Sequence, residues 1–273
     1  VGGYGRGELY PASDVDFLLL LPGAPDEILT AQLERAVAIF FDIGLEVAPS
    51  VRTAHECVQV ALDDLTVQTA LLETRLLAGS SELFELASSE LRAHLDPRAF
   101  FEAKRMEQEQ RHRRYQDSPY ALEPNCKEAP GGLRDLQTVL WIARAAGYGD
   151  SWEDLARYGF ITPEEEEQLQ RSVTFLQRLR TRLHLHVGRR EDRLLFDYQT
   201  ALAEQLGFSP TASRRASELL MQRYYRTAKE ITQINAILLL NLGAAISPPP
   251  DQFPQRINSR FHNQHNLFDV IEE

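Results

Sequence analysis

The sequence predicts an α+β protein: a small mixed sheet with helices, up to about residue 95, followed by an all-helical region over residues 96–247. Two observations predict this class. Before His55, continuous apolar runs typical of buried strands alternate with a helical pattern. From His55 onward, apolar residues recur at spacings near three and four, as in helices that pack on a core. Residues 248–273 begin with three prolines and are interpreted as a linker and tail leading toward a further domain.

Two strands are expected in the sheet, at Phe17–Leu21 and Leu45–Val51. The first is a continuous apolar run, as in a strand that is covered on both faces. Between the two strands, Asp26 can cap a helix that runs to about Ile43. Glu46 interrupts the apolar side of the second strand, so its carboxylate needs an explanation of its own.

The helical segments have clear starts and stops. Asp96 followed by proline, and Thr162 followed by proline and then glutamate at the third position, are strong helix starts. Helices are also predicted at Leu133–Ala146 and Ala212–Leu242, whereas Tyr120–Gly132, with two prolines and two glycines, is predicted as a loop. A core-facing stripe is expected after His55 from seven apolar residues: Leu62, Leu65, Val67, Leu71, Leu72, Leu76 and Leu77.

Composition limits the classes of function. The net charge of −11 argues against broad nucleic-acid binding. Cys57 and Cys126 lie far apart without a Cys-x-x-Cys spacing, which argues against a disulfide framework or zinc site and favours a reducing cytoplasm. No apolar run is long enough to span a bilayer and no signal peptide is visible, so no membrane association is expected. Because the chain opens on Val1 without Met, we interpret it as a fragment whose first strand is cut just before Val1.

The most informative motif is a glycine-rich turn, Gly2-Gly3-Tyr4-Gly5-Arg6-Gly7-Glu8, followed by Ser13-Asp14-Val15-Asp16. Glycines let backbone N–H groups approach phosphate oxygens that a Cβ would obstruct. Residues i and i+2 of a strand share a face, so Asp14 and Asp16 are expected to face one site while Val15 faces the core. Two carboxylates supply hard oxygen ligands for Mg²⁺, the ion that accompanies a triphosphate. The pattern therefore indicates a nucleoside-triphosphate site.

These carboxylates also have structural interpretations. An isolated Asp-x-Asp is commonly a turn before a polar strand. Here Asp14 and Asp16 enter a strand too apolar to be an exposed edge, and paired carboxylates repel each other unless a cation is bound. Glu46 is either a third carboxylate of a two-metal site or a solvent-facing residue of an edge strand.

Together these motifs resemble the DNA polymerase β-type nucleotidyltransferase superfamily and, more narrowly, the PII uridylyltransferase/uridylyl-removing enzyme family. The similarity includes the run Leu45-Glu46-Val47 into Ser50-Val51-Arg52-Thr53. It also includes a second block, Glu123-Pro124-Asn125-Cys126-Lys127-Glu128 with Pro130-Gly131-Gly132-Leu133-Arg134-Asp135. Across nearly the whole chain, the resemblance implies a polymerase β-like nucleotidyltransferase core at residues 1–95, followed by the family's helical region.

The resemblance implies transfer of UMP from UTP to a tyrosine of the PII signalling protein, with release of pyrophosphate and with Mg²⁺, as two ions, or Mn²⁺ as cofactor. Asp14, Asp16 and Glu46 would be the catalytic and metal-binding residues. The family also removes UMP through a His-Asp metal domain and senses glutamine through ACT domains. Because Asp follows none of the seven histidines, and the chain ends before such domains, neither activity is expected of this segment.

The nucleotide is expected to contact the glycine-rich segment through Gly2, Gly3, Arg6 and Ser13. Backbone N–H groups of Gly2 and Gly3 would hold the β- and γ-phosphates. Arg6 has an alternative partner in Glu8, two residues away.

A second set of contacts is expected from Lys127 and Arg134, which flank the other Gly-Gly turn at a helix start. A structural role suits both residues equally well. Asp135 either serves the site, caps its helix or pairs with Arg134, and Asn125 can stabilise the loop through its side chain.

Two other functions stay open. Adenylyl transfer within the same superfamily is one, because no motif identifies the base. A catalytically silent nucleotide-binding regulatory module is the other, although the intact Asp pair argues against it.

The arginines from Arg171 to Arg193 are interpreted as a solvated helix face, with a docking surface for an acidic partner as the alternative. His184 and His186 lie two apart on a predicted helix and diverge too far to form a metal pair.

Overall fold

The computed structural model describes residues 1–115 and 118–248, together with the backbone of three short strands between residues 255 and 270. The first region combines a two-stranded sheet with helices, which confirms the predicted α+β class. Its elements are α1 (Gly2–Gly5), β1 (Val15–Leu21), α2 (Glu27–Asp42), β2 (Val47–Thr53), α3 (Ala54–Asp63), α4 (Leu65–Leu72) and α5 (Ser81–His94).

The second region, over residues 96–247, is helical as predicted. It comprises α6 (Pro97–Arg114), α7 (Leu133–Ala145), α8 (Trp152–Arg157), α9 (Pro163–Val187), α10 (Phe196–Gln205) and α11 (Ala216–Ile246). Beyond Pro248, the described backbone forms an antiparallel arrangement of β3 (Gln255–Arg256), β4 (Phe261–Gln264) and β5 (Leu267–Val270). The rest of the predicted linker and tail lies outside the described residues.

Strands β1 and β2 are parallel neighbours whose register runs from Val15 opposite Val47 to Leu21 opposite Thr53. The second strand therefore lies two residues later than the predicted Leu45–Val51. It continues to Thr53 because that residue both pairs with Leu21 and caps α3 through a capping box. The parallel pairing brings the N-terminal ends of both strands, and the carboxylates near them, to one edge of the sheet.

The helix starts follow the predicted caps. Asp26 accepts a hydrogen bond from the Leu29 N–H, and Asp96 accepts from the N–H groups at the start of α6. Thr162 forms a complete capping box with Glu165 at the start of α9. The last helix begins at Ala216 rather than 212, because the Arg214 N–H bonds to the Thr211 hydroxyl in a turn just before it.

The predicted stripe after His55 is wrong in part. The side chains of Leu62, Leu76 and Leu77 are exposed, and only Leu71 of the seven is buried. Asp64 interrupts the pattern, because its backbone is extended and its side chain accepts from the Thr66 and Val67 N–H groups to cap a new helix. Helix α4 then ends at Leu72, so the last two leucines of the stripe lie outside any helix.

The apolar core lies mainly in the helical region. The stripe Leu176, Leu179 and Leu183 of α9 is fully buried there against α7, α10 and α11. The first region has a separate small cluster, formed by Cys57, Ala61, Leu71 and Leu91. An apolar cavity of about 680 Å³ lies between β1, α1 and α5.

Both thiols are buried and free. Cys57 belongs to the small cluster of the first region, and Cys126 is fully buried in the helical core. Burial raises the pKa of both, that of Cys126 to about 12. Among the described residues, the helices are all too short or too polar to cross a bilayer.

Candidate nucleotide-binding and active site

The glycine-rich turn folds as the short helix α1, packed closely against its surroundings. Gly2 has a φ of +56°, and a Cβ at this position would lie 3.1 Å from Oδ2 of Asp16. A Cβ at Gly5 would lie 1.8 Å from the carbonyl oxygen of Glu73, a distance that no side chain can occupy. Glycine at these two positions therefore lets the turn lie directly beside Asp16 and the end of α4.

Asp14 and Asp16 lie at the start of β1. Val15 lines the apolar cavity and neither aspartate does. Leu18 and Leu20, which share a strand face with Asp16, line it as well, so the predicted division of the strand's two faces stays a prediction. The Asp14 side chain is half exposed, whereas Asp16 is partly buried beside Gly2. Burial, and then the negative charge of Asp14, raise the pKa of Asp16 above its ordinary value. Such a pair is stabilised by a bound cation.

Glu46 is exposed and immediately precedes β2. Its carbonyl oxygen accepts from the Val15 N–H at 2.8 Å, so Glu46 and Asp14 each lie one residue before the Val15–Val47 pair. The two strands are neighbours, as the interpretation of Glu46 as a third carboxylate requires. Within the part of the chain that the structure describes, no three carboxylate, imidazole or thiol groups gather closely enough to hold a metal ion. Metal binding by Asp14, Asp16 and Glu46 stays a prediction.

Arg6 is held by two carboxylates. Its Nε donates to Glu8 at 3.0 Å, and its Nη1 donates to the buried carboxylate of Glu73. The Trp141 indole N–H donates to the other oxygen of Glu73. Arg6 thus pairs with Glu8, the alternative partner expected from the sequence. It also links the glycine-rich turn to α7 through their shared partner Glu73. Its contact with phosphate stays a prediction.

Ser13 lies in the turn that leads into β1. Its N–H donates to the Tyr10 carbonyl oxygen at 2.9 Å, and its hydroxyl accepts from the Tyr10 N–H at 3.3 Å. These bonds fix the chain just before Asp14. Nucleotide binding by Ser13, Gly2 and Gly3 stays a prediction.

The second motif block forms an ordered loop before α7. The Asn125 side chain accepts from the Lys127 and Glu128 N–H groups, as expected of a loop-stabilising residue. Lys127 lies 3.6 Å from the Glu128 carboxylate, and Arg134 donates to the same carboxylate and to Gln137. Both predicted triphosphate-binding cations therefore have partners within their own block, and their contact with nucleotide stays a prediction.

Asp135 does not pair with Arg134. Its buried carboxylate accepts from Arg111 at 2.7 Å, from the Gly131 N–H at 2.8 Å, and lies 2.8 Å from His112 Nε2. This alternative is wrong because α7 turns Asp135 inward, toward α6, while Arg134 stacks over Trp141. Asp135 therefore joins the second Gly-Gly turn to α6.

Residues 99–239 match the family model for the GlnD PII-uridylyltransferase. The chain belongs to this family. Similar curated relatives, each a bifunctional uridylyltransferase/uridylyl-removing enzyme, come from Cupriavidus pinatubonensis, Bordetella parapertussis and Nitrosospira multiformis, at 52%, 54% and 53% identity. Each alignment covers all of this chain but only 31–32% of the relative, so this chain spans about a third of the curated relatives' length.

In this member of the uridylyltransferase family, sequence reasoning missed the contacts between α9 and the glycine-rich segment. Gln177 donates to Glu8 at 2.9 Å, and the Arg180 guanidinium lies 4.0 Å above the Tyr10 ring. His184 also packs on that ring. A signal was present, because Arg180 and His184 follow Leu176 and Leu179 at helical spacing and so belong on the buried face. The solvated-face interpretation holds for Arg171, Arg178 and Arg182 but not for Arg180.

The two histidines of α9 diverge as expected. His184 is buried and lies 3.3 Å from the Asp192 carboxylate, whereas His186 is exposed beside Tyr198. Burial and the neighbouring Arg180 lower the pKa of His184, so it is held largely neutral at neutral pH. Its role is to fix the turn after α9.

Proposed function

We propose that this chain carries the transfer half of the family's chemistry: UMP moves from UTP to a tyrosine hydroxyl of the PII signalling protein, and pyrophosphate is released. One observation supports this most strongly. Asp14 and Asp16 lie at the head of β1, against a glycine turn in which a Cβ at Gly2 would lie only 3.1 Å from Oδ2 of Asp16. Family membership supports uridylyl transfer, and the two buried, reduced thiols support a cytoplasmic setting.

The residues at the head of β1 fit a divalent cation. Asp14 and Asp16 offer carboxylate oxygens. Burial, and then the charge of Asp14, raise the pKa of Asp16, and a bound cation would stabilise its ionised form. These two residues would hold Mg²⁺, or Mn²⁺ in its place, with Glu46 as the candidate third ligand. When bound, the ion would offset charge on the triphosphate and the attacking oxygen.

The proposed reaction is a nucleophilic displacement at the α-phosphorus of UTP. The tyrosine oxygen forms a bond to this phosphorus, the bond to the bridging oxygen of the β-phosphate breaks, and pyrophosphate leaves with that electron pair. A tyrosine hydroxyl with a pKa near ~10 is a poor nucleophile at neutral pH. Glu46, exposed at the same sheet edge, is the proposed acceptor of its proton. The glycine-rich turn would hold the departing phosphates.

The test is transfer of labelled UMP to PII in the presence of Mg²⁺, with UTP and ATP labelled at the α-phosphate. The double substitution Asp14→Asn/Asp16→Asn should lower transfer by about 10³-fold, since metal stabilisation of a transition state is worth several kcal/mol. Asp42→Asn/Asp63→Asn is the matched control, because it removes two exposed carboxylates at the ends of α2 and α3.

Label from UTP that is lost only in the Asp14/Asp16 variant supports the proposal. Label that comes from ATP instead would replace it with adenylyl transfer. Nucleotide binding without any transfer would favour the silent regulatory module.

A further inference from the structure

The helical region reaches the head of β1 through the turn that follows α9. Gly188 ends this helix with a φ of +72°, and the chain then turns back through residues 189–193. At this turn, Nη1 of Arg190 lies 4.0 Å from Oδ1 of Asp14. A residue 176 positions away in the sequence thus contacts the first carboxylate of the candidate site.

The turn is fixed at one side by Asp192. Its carboxylate accepts from Arg180 Nε at 2.6 Å and lies 3.3 Å from His184 Nε2. Its carbonyl oxygen accepts from the Cys126 N–H at 2.8 Å, in the second motif block. Contacts from α9 and from the second motif block therefore fix the backbone of the turn that carries Arg190.

The same helix is fixed to the glycine-rich segment. Arg180 stacks over the buried Tyr10 ring, and Gln177 donates to Glu8. Tyr10 belongs to the helical core although it lies only four residues before Asp14. The position of Arg190 relative to Asp14 is thus set from both sides.

Arg190 is more exposed than Arg6, Arg134 and Arg180, the three arginines with which it is compared. Arg6, Arg134 and Arg180 each contact carboxylates within their own surroundings. Within residues 1–115 and 118–248, Arg190 has Asp14 as its carboxylate partner and stays 58% exposed. A guanidinium in this situation can give up a water-screened partner for a phosphate at little cost.

We propose that Arg190 is a triphosphate-binding residue that the helical region supplies to the nucleotidyltransferase site. A metal ion and Arg190 compete for the Asp14 carboxylate. Metal–nucleotide binding at Asp14 then releases Arg190 to the phosphate oxygens, which its planar fork matches. This inference rests on the proposed function.

The test measures binding by isothermal titration calorimetry in the absence of PII, with Mn²⁺ alone and with Mn²⁺·UTP. Arg190→Ala should bind Mn²⁺ alone about two- to five-fold more tightly, because a competing positive charge about 4 Å from Asp14 is gone. The same variant should bind Mn²⁺·UTP about ten-fold more weakly, since a charge-assisted hydrogen bond is lost. Arg189→Ala is the matched control, because Arg189 is similarly exposed but pairs with Glu191.

We expect Arg190→Ala to raise the affinity for Mn²⁺ and to lower the affinity for Mn²⁺·UTP. Arg189→Ala should change neither affinity, and Arg190→Lys should show both changes at a smaller size than Arg190→Ala. If Arg190 has only a structural role, Arg190→Ala should weaken binding of both Mn²⁺ and Mn²⁺·UTP. If its contact with Asp14 is incidental, the substitution should change neither affinity. Either result overturns the inference about Arg190 but leaves the proposed function standing. A wild-type chain that binds no Mn²⁺·UTP overturns the proposed function and the inference with it.

Discussion

Residues 96–247 pack around one large apolar core, whereas residues 1–95 bury a cluster of four side chains and leave every residue of α2 at least partly exposed. The candidate chemistry lies in the region with the smaller core. Its glycine-rich segment is nevertheless held by the helical region, through Tyr10 in the large core and through Arg6, Glu73 and Trp141 at the α7 surface.

The difference indicates how the site obtains its rigidity. A short helix such as α1 cannot hold a fixed geometry by itself, because nucleation of so few residues is unfavourable. Helix α1 packs directly on β1 and α4, and the long helices of the second region hold the residues that follow it, through Glu8 and Tyr10 and through the Arg6–Glu73–Trp141 contacts. The positions of Asp14 and Asp16 therefore depend on contacts made by residues far from them in sequence.

The comparison is tested most strongly by matched leucine truncations in the two regions. Leu183→Ala, in the fully buried stripe of α9, should lower the free energy of unfolding by about 3–4 kcal/mol. Leu19→Ala, in partly exposed β1, should lower it by only about 1 kcal/mol. Urea unfolding followed by far-UV circular dichroism and by the fluorescence of Trp141 and Trp152 measures both. Equal losses would show that the first region is packed as tightly as the second.

The tie between the two regions is tested at Glu73. Burial raises the pKa of this carboxyl, and the charge of Arg6 opposes the rise. The raised pKa means that burial disfavours the charged form, but Glu73→Gln should still cost about 2 kcal/mol, because Arg6 loses its buried charged partner. It should also speed hydrogen exchange of the amides in α1. Glu85→Gln, on the exposed side of α5, is the control, and faster exchange in that variant as well would contradict the assignment.

The smallest expected effect is a pH dependence within the helical region. Burial acts to raise the pKa of Asp192, but the hydrogen bond and charge of Arg180 outweigh it, and the pKa is lowered. A lowered pKa means that this pair stabilises the fold above the ordinary Asp pKa of about 4, and that the stabilisation is lost as the pH falls through the lowered value.

The stability difference between wild type and Asp192→Asn should thus shrink as the pH falls from 7 to 3. Urea midpoints at several pH values measure it, with Asp63→Asn as the control. A constant difference across this range would mean that Arg180 does not hold the ionised carboxylate.

Much of the fold was predictable because its signals are local. Asp26, Asp96 and Thr162 each cap a helix through a bond spanning three residues or fewer, so a short stretch of sequence contains all the information. The prediction of one continuous stripe through Leu62 and Leu76 was wrong, because Asp64 ends one helix and its side chain caps the next. Spacing alone does not show such a break.

The site divides in the same way. The Gly-Gly turn and the Asp14/Asp16 pair were found from sequence because they lie within one short segment. The sequence does not predict the contact between Glu73 and Trp141, which lie 68 residues apart, or the contact between Arg190 and Asp14. Only the packing of the two regions brings these residues together. The choice between Arg134 and Arg111 as the partner of Asp135 likewise depends on which way α7 faces.

The two cysteines give this chain a pair of native chemical reporters. Cys57 lies in the cluster of the first region and Cys126 in the core of the second, and burial suppresses ionisation of both thiols. A thiol reagent can therefore reach each one only when its own region opens. Cysteine labelling resolved by peptide thus measures local opening of the region with the candidate nucleotide site and of the helical region separately, in the unaltered protein.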